Sequence, residues 1–200
     1  MLYNAYEMQK SLLAGASAMA DFSAGVLSNP ANPFSYFGGG QILSSALEVF
    51  AHAAAPRGKP AFGLDFTTIG GKTVEIHEEI ALRKPFGQLL HFKRQGVDGG
   101  PKLLIVAPMS GHYATLLRGT VERMLPVADV YITDWRDAKL VPLSDGVFDL
   151  DSYVDYIIEF LEAIGPNAGA GGTHMLAVCQ PSVPCYAAVA LMNADKNPAL

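Results

Sequence analysis

The chain has 200 residues, of which 50% are hydrophobic and 16% charged, enough apolar material for a buried core and too much for a disordered chain. Its net charge is -5, its isoelectric point is about 5.4, and its lysines and arginines are scattered rather than clustered. This argues against a nucleic-acid or anionic-membrane surface and favours a neutral or apolar substrate.

In chain order, Tyr3, Tyr6, Met8, Leu12, Leu13, Met19 and Phe22 make a broad helical stripe that closes before Pro30 and Pro33. A second helix is predicted from about Gln41 to Ala54, with Ile42, Leu43, Leu47 and Phe50 on one side and Pro56 and Pro60 after it. Residues 1–60 therefore read as a helical N-terminal segment. The N-terminus lacks the basic start and unbroken apolar core of a secretory signal, and no run is expected to match a membrane span.

Beyond residue 61 the period changes. "TVEIHEEIAL" alternates, and "GQLLHFKR" answers it across a turn at Lys84, Pro85 and Gly87, so an antiparallel hairpin is predicted. Three apolar strands come next: "KLLIVA", "DVYIT" and "HMLAV". Helices are predicted between them, near Tyr113 to Leu125 and near Asp151 to Ile164, the second preceded by the capping-type residues Asp149 and Asp151 and ended by Gly165-Pro166. Apolar strands alternating with helices imply an α/β fold, a mostly parallel sheet with helices on both faces.

Ligands of such sheets collect at the carboxyl ends of the strands. Three segments deliver side chains there: Pro108 to His112, Thr133 to Arg136, and Cys179 to Ser182. Cys179 stands where an apolar strand turns directly into an apolar helix. An antiparallel entry hairpin followed by strand-helix units is how an α/β-hydrolase begins, and the third parallel strand carries its nucleophile. The window Ala177-Val178-Cys179-Gln180-Pro181 lacks both glycines and the serine of G-x-S-x-G, so two readings stand: a small buried hydrophobe ending a strand, or a thiol nucleophile on an elbow. On the second reading the oxyanion donors are the backbone N–H of Gln180 and one from "PMSGH", Met109 or Ser110.

Other residues have plainer roles. His112 is expected to shape the loop beside the oxyanion donors, and Asp134 to anchor a loop or pair with Arg136. "HEEIA" at His77 to Ala81 lacks the second histidine of a zinc motif and is expected to be a solvated strand face, so no metal is implied. "GAGGTH" precedes a strand, whereas a phosphate cradle comes after one, and is expected to be an approach loop. Cys185 is expected to pack in the elbow helix. Two cysteines six residues apart across a turn do not suit a disulfide, and the reading is of a cytoplasmic chain.

The blocks "PFGQLLHFKR", "KLLIVAPMSGHYATLLRGTVERML", "DVYITDWRDAKLVPLSDGVFDLDSYVDYIIEFLEAIGP" and "HMLAVCQPSVP" resemble the intracellular polyhydroxyalkanoate depolymerases of the poly-3-hydroxybutyrate type, and "MLYNAYE" resembles their N-terminus. The resemblance implies a granule-associated α/β-hydrolase that cleaves storage polyester through a Cys-Asp-His triad, without a cofactor, the cysteine matching Cys179. The acyl acceptor would be water or another thiol such as coenzyme A. Polyhydroxyalkanoate synthases, which also use an elbow cysteine, resemble G-x-C-x-G; the absence of both glycines favours the depolymerase. A granule-binding protein without turnover is the alternative from another class. The family's aspartate and histidine lie beyond the elbow helix, so neither is assignable within 1–200, and 61–200 is expected to be the first part of the hydrolase domain, inactive alone.

Overall fold

Helices α1 (Leu2–Ser28) and α2 (Gly38–Ala54) pair through small side chains, with Ser17, Ala20 and Ala24 buried on one and Ala51 on the other. The computed structural model describes residues 2–36, 38–56, 58–97, 99–110, 113–165 and 173–199, and divides the chain into two units, Met1–Gly58 and Lys59–Leu200. Two hydroxyls tie the helix pair: Ser17 Oγ donates to the Ala51 carbonyl at 2.8 Å and Ser44 Oγ to that of Ala24 at 3.1 Å. Side chains this small let the backbones approach closely. The larger apolar residues of α1 point elsewhere, leaving Leu2, Met8, Leu12, Met19 and Phe22 exposed. Helix α1 is long and apolar enough to cross a membrane by length and composition alone, a match that the expectation of no span-length run did not anticipate. The helical period spreads its apolar residues over 27 positions interrupted by few charges, which a search for one unbroken apolar run misses.

The second unit is a mixed α/β layer structure. Its strands are β1 (Phe66–Ile69), β2 (Lys72–Arg83), β3 (Gly87–Arg94), β4 (Lys102–Val106), β5 (Asp129–Trp135) and β6 (His174–Ala177), in the sheet order β1-β2-β3-β5-β4-β6. Strand β1 was not expected. It is four residues long and joins β2 through Gly70 and Gly71, whose φ values of 56° and 79° suit the two-residue hairpin that twists with its strands.

The expected mostly parallel sheet is also corrected. β1 with β2, β2 with β3 and β3 with β5 pair antiparallel; only β4 with β5 and β4 with β6 pair parallel. The entry hairpin and β1 extend the sheet through short turns, and such turns can only reverse the chain.

Alternation along the strands builds two cores. Leu90, Phe92, Ile105, Val130 and Ile132 face the 3-10 turn Ala114–Leu117 and helix α3 (Arg118–Met124), while Leu89, Leu104 and Val106 face α4 (Leu150–Ile164) and α5 (Ser182–Ala194). Helices thus cover both faces. Each fully buried Leu, Ile or Phe contributes about 1.5–3 kcal/mol to holding them there. Helix α4 is capped as expected: Asp149 Oδ1 accepts from the Ser152 N–H at 2.9 Å and from Ser152 Oγ at 2.8 Å, and these bonds hold its carboxyl below the ordinary range. The chain visits β4, then β5 on one side, then β6 on the other, so the strand order reverses at β4. The crevice between the carboxyl ends of β4 and β6 is therefore a topological switch point.

A charged bridge crosses three strands. His91 on β3 donates from Nδ1 to Glu79 on β2 and from Nε2 to Asp129 on β5, each at 2.9 Å, and its ring stacks on Tyr131 at 4.2 Å. Two carboxylate acceptors need both ring N–H groups, hence the imidazolium. Burial opposes that charge, but the bonds to Asp129 and Glu79 outweigh it and raise the His91 pKa above 6.5; the Asp129 carboxyl, which burial alone would raise, is lowered below 3.8 by His91. The His91 contribution is complete below its ordinary pKa and lost as pH rises through the raised one, and the Asp129 contribution is lost only as pH falls through its lowered value. His91→Gln is expected to cost about 1 kcal/mol near pH 6 and progressively less towards pH 9. Melting temperatures of both proteins across that range test this; a constant difference would place the imidazolium elsewhere.

Candidate active site

Strand β6 continues past Ala177, the Val178 N–H donating to the Val106 carbonyl at 3.3 Å, and then the backbone turns sharply. Cys179 has φ 68°, one of two positive-φ residues other than glycine among the described residues. Its carbonyl accepts from the Ser182 N–H at 3.1 Å and from Ser182 Oγ at 2.8 Å, and α5 begins at Ser182. Left-handed backbone at a residue with a Cβ costs about 1–2 kcal/mol. Here the ladder to β4 on one side and the start of α5 on the other impose it.

The thiol that results is exposed. This rules against the structural reading of Cys179 as a buried strand end. Cys185, within the first turn of α5, is the buried cysteine at 2% exposure, and burial pushes its thiol up to about 12. It packs with Leu104, Tyr153 and Met192, as expected of a core residue.

The facing wall is the segment after β4. Ala107 is held through both backbone groups by β5 side chains: its N–H donates to Thr133 Oγ1 at 2.9 Å, and its carbonyl accepts from Trp135 Nε1 at 2.8 Å. Trp135 can lie there because Gly87 stands opposite it; a Cβ on Gly87 would come within 2.8 Å of the indole ring. Pro108 is buried, Met109 half-buried and Ser110 exposed. The Met109 N–H points across the crevice and donates to Gln180 Oε1 at 3.3 Å, so Met109 and Gln180 meet beside the thiol. The Gln180 N–H has no acceptor among the described residues.

The Met109 N–H thus reaches the side chain of the residue that follows the exposed Cys179, and the Gln180 N–H is left without an acceptor among the described residues. The amide oxygen of Gln180 lies where an oxyanion would meet the Met109 donor, at the long end of hydrogen-bond range, and a substrate would displace it. The sequence places Thr133 to Arg136 and Cys179 to Ser182 at this edge, but gives no role to Thr133, Trp135 or the Gln180 side chain. Only the alternation of β5 hinted at the first two, since residues 133 and 135 share a face.

Other expected residues fall differently. His112 and most of the "GAGGTH" loop lie outside the described residues. Asp134 does not pair with Arg136: its Oδ2 accepts from Lys59 at 2.5 Å and from Gln88 at 2.8 Å, because the register sets Gln88 directly opposite it. "HEEIA" lies in β2 with His77, Glu78 and Glu79 exposed. Compared with protein-family models, with curated proteins and with solved structures, the chain gives no match in any of the three.

Glycine has no Cβ to strain at φ 68°, so Cys179→Gly is expected to stabilise the fold by about 1 kcal/mol, whereas Cys179→Val, β-branched, should destabilise it. Denaturant titration of the three proteins measures this; equal stabilities would mean that the elbow stores no strain.

Proposed function

We propose that the protein is a thiol esterase acting on intracellular storage polyester of the polyhydroxyalkanoate type, and that its sheet is the opening part of an α/β-hydrolase domain. The observation that carries the reading is the left-handed, exposed Cys179 between a parallel strand and a helix. The strand order and the contact of the Met109 N–H with the Gln180 side chain support it, together with the sequence resemblance. In this mechanism Cys179 Sγ attacks the ester carbonyl carbon as the thiol proton passes to a general base. The S–C bond forms, and the carbonyl oxygen becomes an alkoxide facing the Met109 and Gln180 N–H groups.

Collapse breaks the C–O bond, and the hydroxyl end of the polymer leaves with the proton. Water, or a thiol such as that of coenzyme A, then takes the acyl group from Cys179. The resemblance assigns the base and its orienting acid to a histidine and an aspartate beyond the elbow helix.

Granule binding without turnover has one observation in its favour, the exposed Leu2, Met8, Leu12, Met19 and Phe22 of α1. One experiment separates the readings. With the native gene product on amorphous polymer granules, Cys179→Ala is expected to lower hydrolysis at least about a thousandfold while leaving granule binding unchanged. Hydrolysis unchanged by the substitution would remove the catalytic assignment.

A further inference from the structure

At the carboxyl end of β5, two strands from the elbow, opens a cleft of about 530 Å³. Its polar lining includes the cations Lys59, Arg83, Lys84 and Arg136 and the carboxylates Asp134 and Asp137, with Gln88 between Arg83 and Asp134. The register explains the gathering: Arg83 on β2 stands opposite Gln88 on β3, and Gln88 opposite Asp134 on β5, so the three form one row on one face of the sheet.

The polar groups of this row satisfy one another only in part. The Asp134 side chain is 7% exposed. Both of its donors, Lys59 and Gln88, converge on Oδ2, and the buried Oδ1 has no hydrogen-bond partner among the described residues. A buried acceptor left without a donor is destabilising, and Asp134 lines the cleft.

The cations are unevenly matched as well. Lys59 is paired with Asp134 and Lys84 with Glu159, while the guanidinium groups of Arg83 and Arg136 have no acceptor among the described residues. With Asp137 held by Lys139, the cleft is left, among the described residues, with one acceptor of Asp134 that has no donor and two guanidinium groups that have no anion. Arg83 and Asp134 stand two strand spacings apart, roughly 10 Å at the backbone, and both line the cleft. Carboxylate suits a guanidinium fork, and a single negative charge is repelled less by Asp134 than the two of a phosphate would be.

We propose that this cleft binds a small hydroxycarboxylate anion, its hydroxyl donating to Asp134 Oδ1 and its carboxylate meeting Arg83 and Arg136. The inference deepens the esterase reading, since cleavage of a polyhydroxyalkanoate releases such acids, but it stands on the cleft's own residues.

The test is calorimetric titration of the native gene product, carrying Cys179→Ala so that no turnover intervenes, with sodium 3-hydroxybutyrate, sodium butyrate and inorganic phosphate. Saturable binding of 3-hydroxybutyrate is expected, with butyrate and phosphate each at least about tenfold weaker. Arg83→Gln on the exposed rim should weaken 3-hydroxybutyrate about tenfold, and Asp134→Asn should reduce its advantage over butyrate; if Asp134→Asn does not fold, the three-ligand series decides alone. Equal affinity for butyrate, preference for phosphate, or no binding of 3-hydroxybutyrate would each overturn the assignment. Granule hydrolysis is scored separately, so loss of the esterase reading leaves a positive titration standing and the reverse.

Discussion

The left-handed backbone at Cys179 is the constraint around which the second unit is arranged. A residue with a Cβ does not adopt φ 68° unless its neighbours are held, and here they are held from two directions. The β4–β6 ladder fixes Val178, and α5, buried through Pro184, Cys185, Ala188 and Met192, fixes the chain on the other side of the turn. The strain is sustained by burial around it rather than by anything at the thiol. Its outcome is geometric, since the thiol stands exposed at the turn between β6 and α5, beside the point where the strand order reverses.

The wall facing the thiol depends on β5. Thr133 and Trp135 hold the two backbone groups of Ala107 after regular pairing of β4 ends, and Gly87 leaves the indole room to do so. The Met109 N–H therefore inherits its direction from residues on two neighbouring strands. The same stretch of β5 turns Asp134 to the other face, into the cleft with Gln88 and Arg83. Alternation along one strand thus serves the proposed oxyanion site on one face and the proposed anion cleft on the other.

Much of this was legible in the sequence, for identifiable reasons. The β2–β3 hairpin, the strands β4 to β6 and the helices α4 and α5 are dictated by period, cap and stop residues acting over a few positions, and the elbow reading of Cys179 rests on the same local pattern. What escaped depends on register. Nothing local to "FTTI" announces β1 except the Gly-Gly turn after it. Nothing near Asp134 indicates that its partners are Lys59 and Gln88 rather than Arg136 two residues away, because the pairing of β3 with β5 decides that. The preponderance of antiparallel pairings has the same origin, since individual strands carry no mark of which way their neighbours run. In α1, small residues at Ser17, Ala20 and Ala24 form the packed face, and the bulky residues that define its apolar stripe lie outside it.

The most direct test of the elbow assignment is the mass of the native gene product quenched with acid during turnover of an activated ester such as p-nitrophenyl butyrate, followed by peptide mapping. A butyryl group on the peptide carrying Cys179, absent from Cys179→Ala and never on Cys185, is the expected result. Turnover of the ester that is undiminished in Cys179→Ala, or an acyl group carried by another residue, would contradict the assignment of Cys179 as the nucleophile.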